Sequence, residues 1–383
     1  MSLNLDKSGW ERVSFGDIVH NANVTVKDPV AHGIDRVIAM EHLTPGELKI
    51  DHWGDTAKGT TFTRQVRPGQ TLFGKRRAYQ RKVAYAEFDA ICSGDIYTFE
   101  ADETLILGEF LPFIVQSEPF FDHALGTSAG SLSPRTNWRD LANFEFDLPP
   151  LDVQKRIADL LWAIERHRLH LDALANALRT AASSLIDDLR RSNYAFKHVK
   201  DVATVRNGQN YPKSLQDGRT GGVPFFKVAD LDKPGNERFL TNPGGWVTAD
   251  DVINLSAQIL PKGTIVTARV GAAIKLERRR ALAVPGLVDE NHLVIQPFDV
   301  DSDYLLAVLS ETALARSGND GVVPSLNQKI VGSVAFPALP VALERRIGSA
   351  YRRLGDARDD IHTEQQTLRS LRWALLENVL GDN

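Results

Sequence analysis

The sequence predicts an α/β chain: two mixed α/β domains joined by two long antiparallel coiled-coil helices, arranged as a pseudo-two-fold repeat. Three observations predict it. A proline-marked segment occurs twice: Leu148-Pro149-Pro150-Leu151 leads into Gln154-Lys155-Arg156-Ile157, and Ala338-Leu339-Pro340-Val341 leads into Glu344-Arg345-Arg346-Ile347, with every position 190 residues on. Behind each segment, apolar residues recur every seventh position. Ahead of each lies a β-rich stretch of domain size.

In chain order, residues 1–150 form the first domain. Short β-type runs such as Lys82 to Tyr85 and Ile96 to Phe99 are separated there by Gly, Pro, Asn and Asp. Residues 151–193 form the first long helix. Proline is tolerated at a helix entry, none follows inside, and Ile157, Ile164, Leu171, Leu178 and Leu185 mark its seam. Leu160, Leu161, Leu174, Ala175, Ala181 and Ala182 fill much of the companion row. Residues 194–337 form the second domain, with runs at Val223 to Val228 and His292 to Ile295. Residues 338–383 form the second helix, with a seam at Ile347, Leu354, Ile361, Leu368 and Leu375. At 1.5 Å per residue, each helix runs for roughly 50 to 60 Å. The two domains echo each other faintly. Arg67-Pro68-Gly69-Gln70-Thr71-Leu72-Phe73 matches Pro261-Lys262-Gly263-Thr264-Ile265-Val266-Thr267, and Pro134 and Asn137 return as Pro324 and Asn327.

With 383 residues, 43% hydrophobic and 25% charged, the chain reads as globular and of two or three domains. No apolar run reaches the roughly 20 residues of a membrane span, and the first residues lack signal-peptide order, so a cytoplasmic protein is expected. Cys92 is the only cysteine, which excludes an internal disulfide and a thiolate zinc site. The net charge of −4 conceals two basic runs. One holds Arg64, Arg67, Lys75, Arg76, Arg77, Arg81 and Lys82, the other Lys262, Arg269, Lys275, Arg278, Arg279 and Arg280.

Several motifs approach a chemistry and miss it. Gly69 to Arg76 nearly matches a phosphate-binding loop, but Arg76 stands where a magnesium-binding hydroxyl belongs. Asp147-Leu148-Pro149-Pro150 resembles an amino-methyltransferase motif without its stacking aromatic. Glu47-Leu48-Lys49 has the spacing of metal-dependent nucleases, but lacks a convincing second acid. His167 and His170 lie three apart on a helix, but helix phase places His167 beside the seam, so a partly buried or interfacial histidine is expected in preference to a metal ligand pair, and Cys92 reads as a small buried hydrophobe. With no GxSxG elbow either, neither a catalytic nor a metal site is expected.

The run Leu148 to Ile157, opening a long helix after a domain of about 150 residues and returning once, resembles the specificity subunits of type I restriction-modification systems. In the second copy Glu344 replaces the glutamine, and Pro340 is the proline that keeps register. The resemblance implies a non-catalytic subunit whose two target-recognition domains each read half of a split site on double-stranded DNA. It implies two methyltransferase (modification) subunits as partners, which use S-adenosylmethionine, and motor-nuclease (restriction) subunits, which use ATP and Mg. The helices would then be spacers, and adding a heptad would shift the half-sites by roughly three base pairs. Phosphate contacts are expected from Lys75, Arg76, Arg77, Arg81 and Lys82, and from Arg269, Lys275, Arg278, Arg279 and Arg280. Base contacts are expected from Ser131, Ser133, Arg135, Thr136 and Asn137, and from Asn207, Gln209, Asn210, Tyr211, Lys213, Ser325, Asn327 and Gln328. A coiled-coil protein-binding scaffold, or a single-chain nuclease or methylase, is the alternative.

Overall fold

A computed structural model describes residues 7–128, 130, 134–211, 221–315 and 325–381. The chain forms two compact units, Met1–His170 with Gln365–Asn383, and Leu171–Glu364. Two long helices, Leu151–Arg191 and Val341–Leu380, each contribute to both. Asp152 and Glu344 lie in their first turns, where a carboxylate suits the helix dipole. Among the described residues no helix is long and apolar enough to cross a membrane.

In the first unit a four-stranded antiparallel sheet runs in the order Val19–Asn21, Ile96–Ala101, Thr71–Gly74, Val83–Tyr85. A second sheet orders Gly54–Asp55, Arg36–Ile38, Ala90–Cys92 and Arg64–Val66, with the middle pair parallel. The strand Glu11–Ser14 pairs with Glu145–Leu148, bringing the domain's two ends together just before the first helix. Phe15, Phe73, Phe99 and Phe120 fill the core; Phe15 meets Phe99 edge-on at 5.3 Å. Ile157, Ala158 and Leu161 from the start of the first helix share that core with Leu375, Val379 and Leu380 from the end of the second. Early residues of one helix thus pack with late residues of the other.

The second unit repeats this plan. Ala203–Asn207, His292–Pro297, Ile265–Ala268 and Arg279–Leu282 take the places of the four-stranded sheet, and Phe239–Leu240 adds a parallel edge strand. A three-stranded sheet, Gly245–Val247, Val223–Phe226, Leu287–Val288, again has a parallel pair. Phe196–His198 pairs with Ala335–Pro337 before the second helix. Ile186 from the first helix lies in this core, and Leu343, Ile347 and Tyr351 of the second pack against it. Of the seam residues, Ile157, Ile164, Leu171, Ile361 and Leu375 are buried, while Leu178, Leu185, Ile347, Leu354 and Leu368 are half-buried. Leu160 and Leu174, placed by the periodicity in the companion row, are exposed.

Each helix entry is locked by one buried polar side chain. The Gln154 amide accepts from the Leu107 N–H at 2.9 Å and donates to the carbonyls of Leu105 and Pro149 at 2.9 and 2.8 Å. At the equivalent position the Glu344 carboxylate accepts from Lys197 Nζ at 2.8 Å and from the Asp301 N–H at 3.0 Å. Both loops leave the longest strand of their sheet. Removing one member of a buried ion pair strands the other, at a cost of about 3 kcal/mol. Glu344→Ala should therefore lower unfolding stability in urea by about that much, and Glu344→Gln by about half as much or less, because glutamine holds the same place in the first repeat.

Candidate nucleic-acid interface

The strand Thr71–Gly74, paired on both sides, delivers Lys75 just beyond its C-terminal end. Its N–H donates to the Asp95 carbonyl at 3.0 Å, and its own carbonyl accepts from the Thr136 N–H at 3.0 Å. Arg76 and Arg135 are bridge partners, and the Arg77 N–H donates to the Pro134 carbonyl at 2.8 Å. A backbone seam thus joins the basic run to the polar loop 60 residues further on. The second unit builds the same seam. The Arg269 N–H donates to the Asn291 carbonyl at 2.9 Å, the Arg269 carbonyl accepts from the Leu326 N–H at 2.8 Å, and Val270 bridges Ser325.

The shared backbone bonds carry different side chains. In the first unit Asp95 receives Arg135 Nη2 at 3.2 Å and Arg76 Nη1 at 3.4 Å. Lys75 Nζ lies 4.7 Å from the Tyr97 ring centre, and desolvation, reinforced by Arg64, holds its pKa below the usual lysine value despite Asp95. In the second unit Arg269 Nη1 donates to the Glu290 carbonyl at 2.9 Å, Asn327 Oδ1 caps the helix Gln328–Gly332 through the Ile330 N–H at 3.0 Å, and the Gln328 amide reaches Asn207 Oδ1 at 3.4 Å.

Of the residues expected at DNA, Arg77, Arg135, Asn137, Asn207, Asn210, Lys275, Asn327 and Gln328 are exposed, and Lys75, Arg76, Arg269 and Ser325 partly so. Others are engaged internally. Thr136 is 1% exposed, its hydroxyl 2.8 Å from Ser128 Oγ. Arg81 grips the Glu118 carboxylate, which raises the arginine's pKa and lowers the glutamate's, and Lys82 donates to the Met40 carbonyl. Arg278 pairs with Asp232. Arg279, 4% exposed, bonds Glu277 and the Thr312 carbonyl, and burial, with Arg278 beside it, presses the Arg280 guanidinium down to about 10. Tyr211 is buried with its ring 4.7 Å from Phe225, and Gln209 donates to the Leu255 carbonyl at 3.2 Å. Thr136, Arg279 and Tyr211 are therefore corrected to packing residues: each faces inward from its strand or loop. Ser131, Ser133 and Lys213 lie outside the described residues. Asp95 and Asn291 were missed, because Ser93-Gly94-Asp95 and Asp289-Glu290-Asn291 share no sequence signal.

The chemistry-like motifs take other roles. Thr71–Gly74 is a strand, so no phosphate loop opens a helix there. Glu47 pairs with Arg168 while Lys49 is exposed, which separates the nuclease-like pair. His167 is exposed, against the expectation of partial burial, because the helix turns its apolar stripe away from it, and His170 is exposed as well. Among the described residues, no group of three or more His, Cys, Asp or Glu could hold a metal ion.

Two α/β domains of similar plan, each presenting a differently furnished polar surface and each followed by a long helix, make up a two-domain protein with an internal repeat. The model of the family described as "Type I restriction modification DNA specificity domain" matches residues 7–176. The chain is thus similar to that domain family over residues 7–176, less than half of its length. It is 30% identical over 125 residues to the type I restriction enzyme EcoDI specificity subunit of Escherichia coli, a match spanning 30% of this chain and 27% of that relative. The fold is similar to the type I restriction-modification S subunit of M. genitalium, with TM-score 0.65 at 15% identity, covering 100% of this chain and 98% of that one. It is also similar to a chain from a structure describing complex assembly and conformational transition of the type I R-M system, with TM-score 0.54 at 17% identity, covering 98% and 99%.

Cys92 is 0% exposed and burial pushes its thiol up to about 12. Because the folded pKa exceeds the unfolded value of 9.0, this group's contribution to stability is complete below pH 9 and is lost as pH climbs toward 12. An alkylating agent at pH 8 should leave Cys92 unmodified in the native protein and label it fully in denaturant, as mass spectrometry would read.

Proposed function

We propose that this chain is the DNA-reading subunit of a type I restriction-modification complex, with each domain reading one half of a bipartite duplex site. The observation that carries the reading is the repeated seam: one backbone arrangement, built twice, bearing Arg76, Asp95 and Arg135 in one unit and Val270, Asn291 and Ser325 in the other. A shared frame with unlike side chains suits two unlike half-sites. Phosphate contacts fall to Lys75, Arg76, Arg77, Arg269 and Lys275, which remain at least partly exposed. Base contacts fall to Arg135, Asn137, Asn207, Asn210, Ser325, Asn327 and Gln328, whose types match those that read groove edges. The long helices are the spacer and the docking place of two adenine methyltransferase subunits. S-adenosylmethionine belongs to those subunits, ATP and Mg to the motor-nuclease, and the complex works in the cytoplasm.

Counterion release tests the reading. Affinity of the full chain, with its co-purifying methyltransferase, for a duplex should fall steeply with salt on a double-logarithmic plot, and Lys75→Ala with Arg77→Ala should flatten the slope by about two. A slope near zero for the unaltered complex would leave the coiled-coil scaffold as the better account.

A further inference from the structure

Asp95 is an acid in the wrong place for a phosphate-binding surface. It stands at the seam among Arg64, Lys75, Arg76 and Arg135, where a carboxylate repels the DNA backbone. It is not a by-product of folding, because the second unit makes the same backbone bonds with neutral Asn291. The side chain must therefore serve its neighbours.

Arg76 and Arg135 are direct bridge partners, so their like charges face one another across the seam. Asp95 takes Arg76 through Oδ2 and Arg135 through Oδ1, one oxygen each, and keeps 22% of its side chain exposed. Arg135 remains 58% exposed, so its guanidinium is held at one nitrogen and open elsewhere. A planar fork anchored at one corner presents its other donors in a fixed plane, which matches the paired O6 and N7 acceptors of guanine in the major groove. Lysine at that place would offer a point charge without the fork.

We propose that Asp95 is a positioning residue that presents Arg135 to a guanine in the half-site read by the first domain. The assignment rests on the DNA-reading function proposed above and adds to it a base and a position. The second domain, with Asn291 and Ser325 at the equivalent places, lacks this device. Its half-site is read without it.

The full chain with its co-purifying methyltransferase would be equilibrated with a randomised duplex pool, and bound molecules sequenced, for the unaltered protein, Asp95→Asn and Arg135→Lys. Asn291 shows that the seam tolerates asparagine, and Arg135 is an exposed side chain, so both variants should fold. Both should lose preference for guanine at one shared position of one half-site, by roughly tenfold to a hundredfold, and leave the other half-site unchanged. Asp95→Asn should bind non-matching duplex as tightly as before or more tightly, because a repelling charge is gone. Unaltered preferences in Asp95→Asn would overturn the proposal. So would retention of guanine in Arg135→Lys with loss in Asp95→Asn, which would make the carboxylate itself the reader, through cytosine. If the unaltered complex enriches no motif at all, the DNA-reading function itself is what fails.

Discussion

The two helix entries are the constraint on which everything else in this chain rests. A helix of 40 residues can slide or rotate against its domain unless something fixes where it begins. Gln154 and Glu344 do so from positions 0% and 1% exposed, by bonding backbone groups of the loop that leaves the sheet's longest strand. Buried polar groups must find partners or cost several kcal/mol, so an entry with the wrong register forfeits these bonds. The two repeats meet the same demand differently, one with a neutral amide satisfied on three sides, the other with a carboxylate neutralised by Lys197. Once the start is fixed, every later heptad position has a defined neighbour.

The same economy governs the polar seam of each domain. The backbone bonds of the seam between the basic strand end and the polar loop recur in both units, so that shared part of its geometry does not depend on the side chains it carries. That indifference lets one frame present Arg76 and Arg135 about an acid in one domain, and Val270, Ser325 and Asn291 in the other. Local charge is consequently a matter of a few residues. A chain with net charge −4 can still offer a basic edge, because its acids are spent elsewhere, on Arg81, Arg278 and Arg279 among others.

The repeat, the helix entries and much of the strand pattern were legible in the sequence because they depend on local periodicity and on proline. The residues Val83–Tyr85, Ile96–Ala101, Val223–Phe226 and His292–Pro297 are strands where short apolar runs lie between turn residues. The direction a basic side chain faces was not legible. Arg279 and Arg77 both sit in clusters of arginine, yet one points into a core strand and the other outward from a tight turn with φ +56°. The acids that claim Arg81 and Arg278 are 37 and 46 positions away in sequence. No window along the chain can relate groups that meet only after folding.

The contact between each domain and its own helix adds a further asymmetry. In the first unit the loop preceding Leu48 supplies an acid, Glu47, to Arg168 of the first long helix, beside buried Glu165. In the second unit the equivalent loop, just before the edge strand Phe239–Leu240, supplies a base, Arg238, to Asp356 of the second long helix. Gly355 leaves the space that the Arg238 guanidinium fills. The charge sense is reversed between the repeats. Exchanging the two loops would set Glu47 against Asp356 and Arg238 against Arg168, and facing like charges are unfavourable where water is partly excluded. A chain made of two similar halves has to prevent each half from settling on the other's helix, and opposite ionic contacts at one topological position disfavour that error without altering the fold.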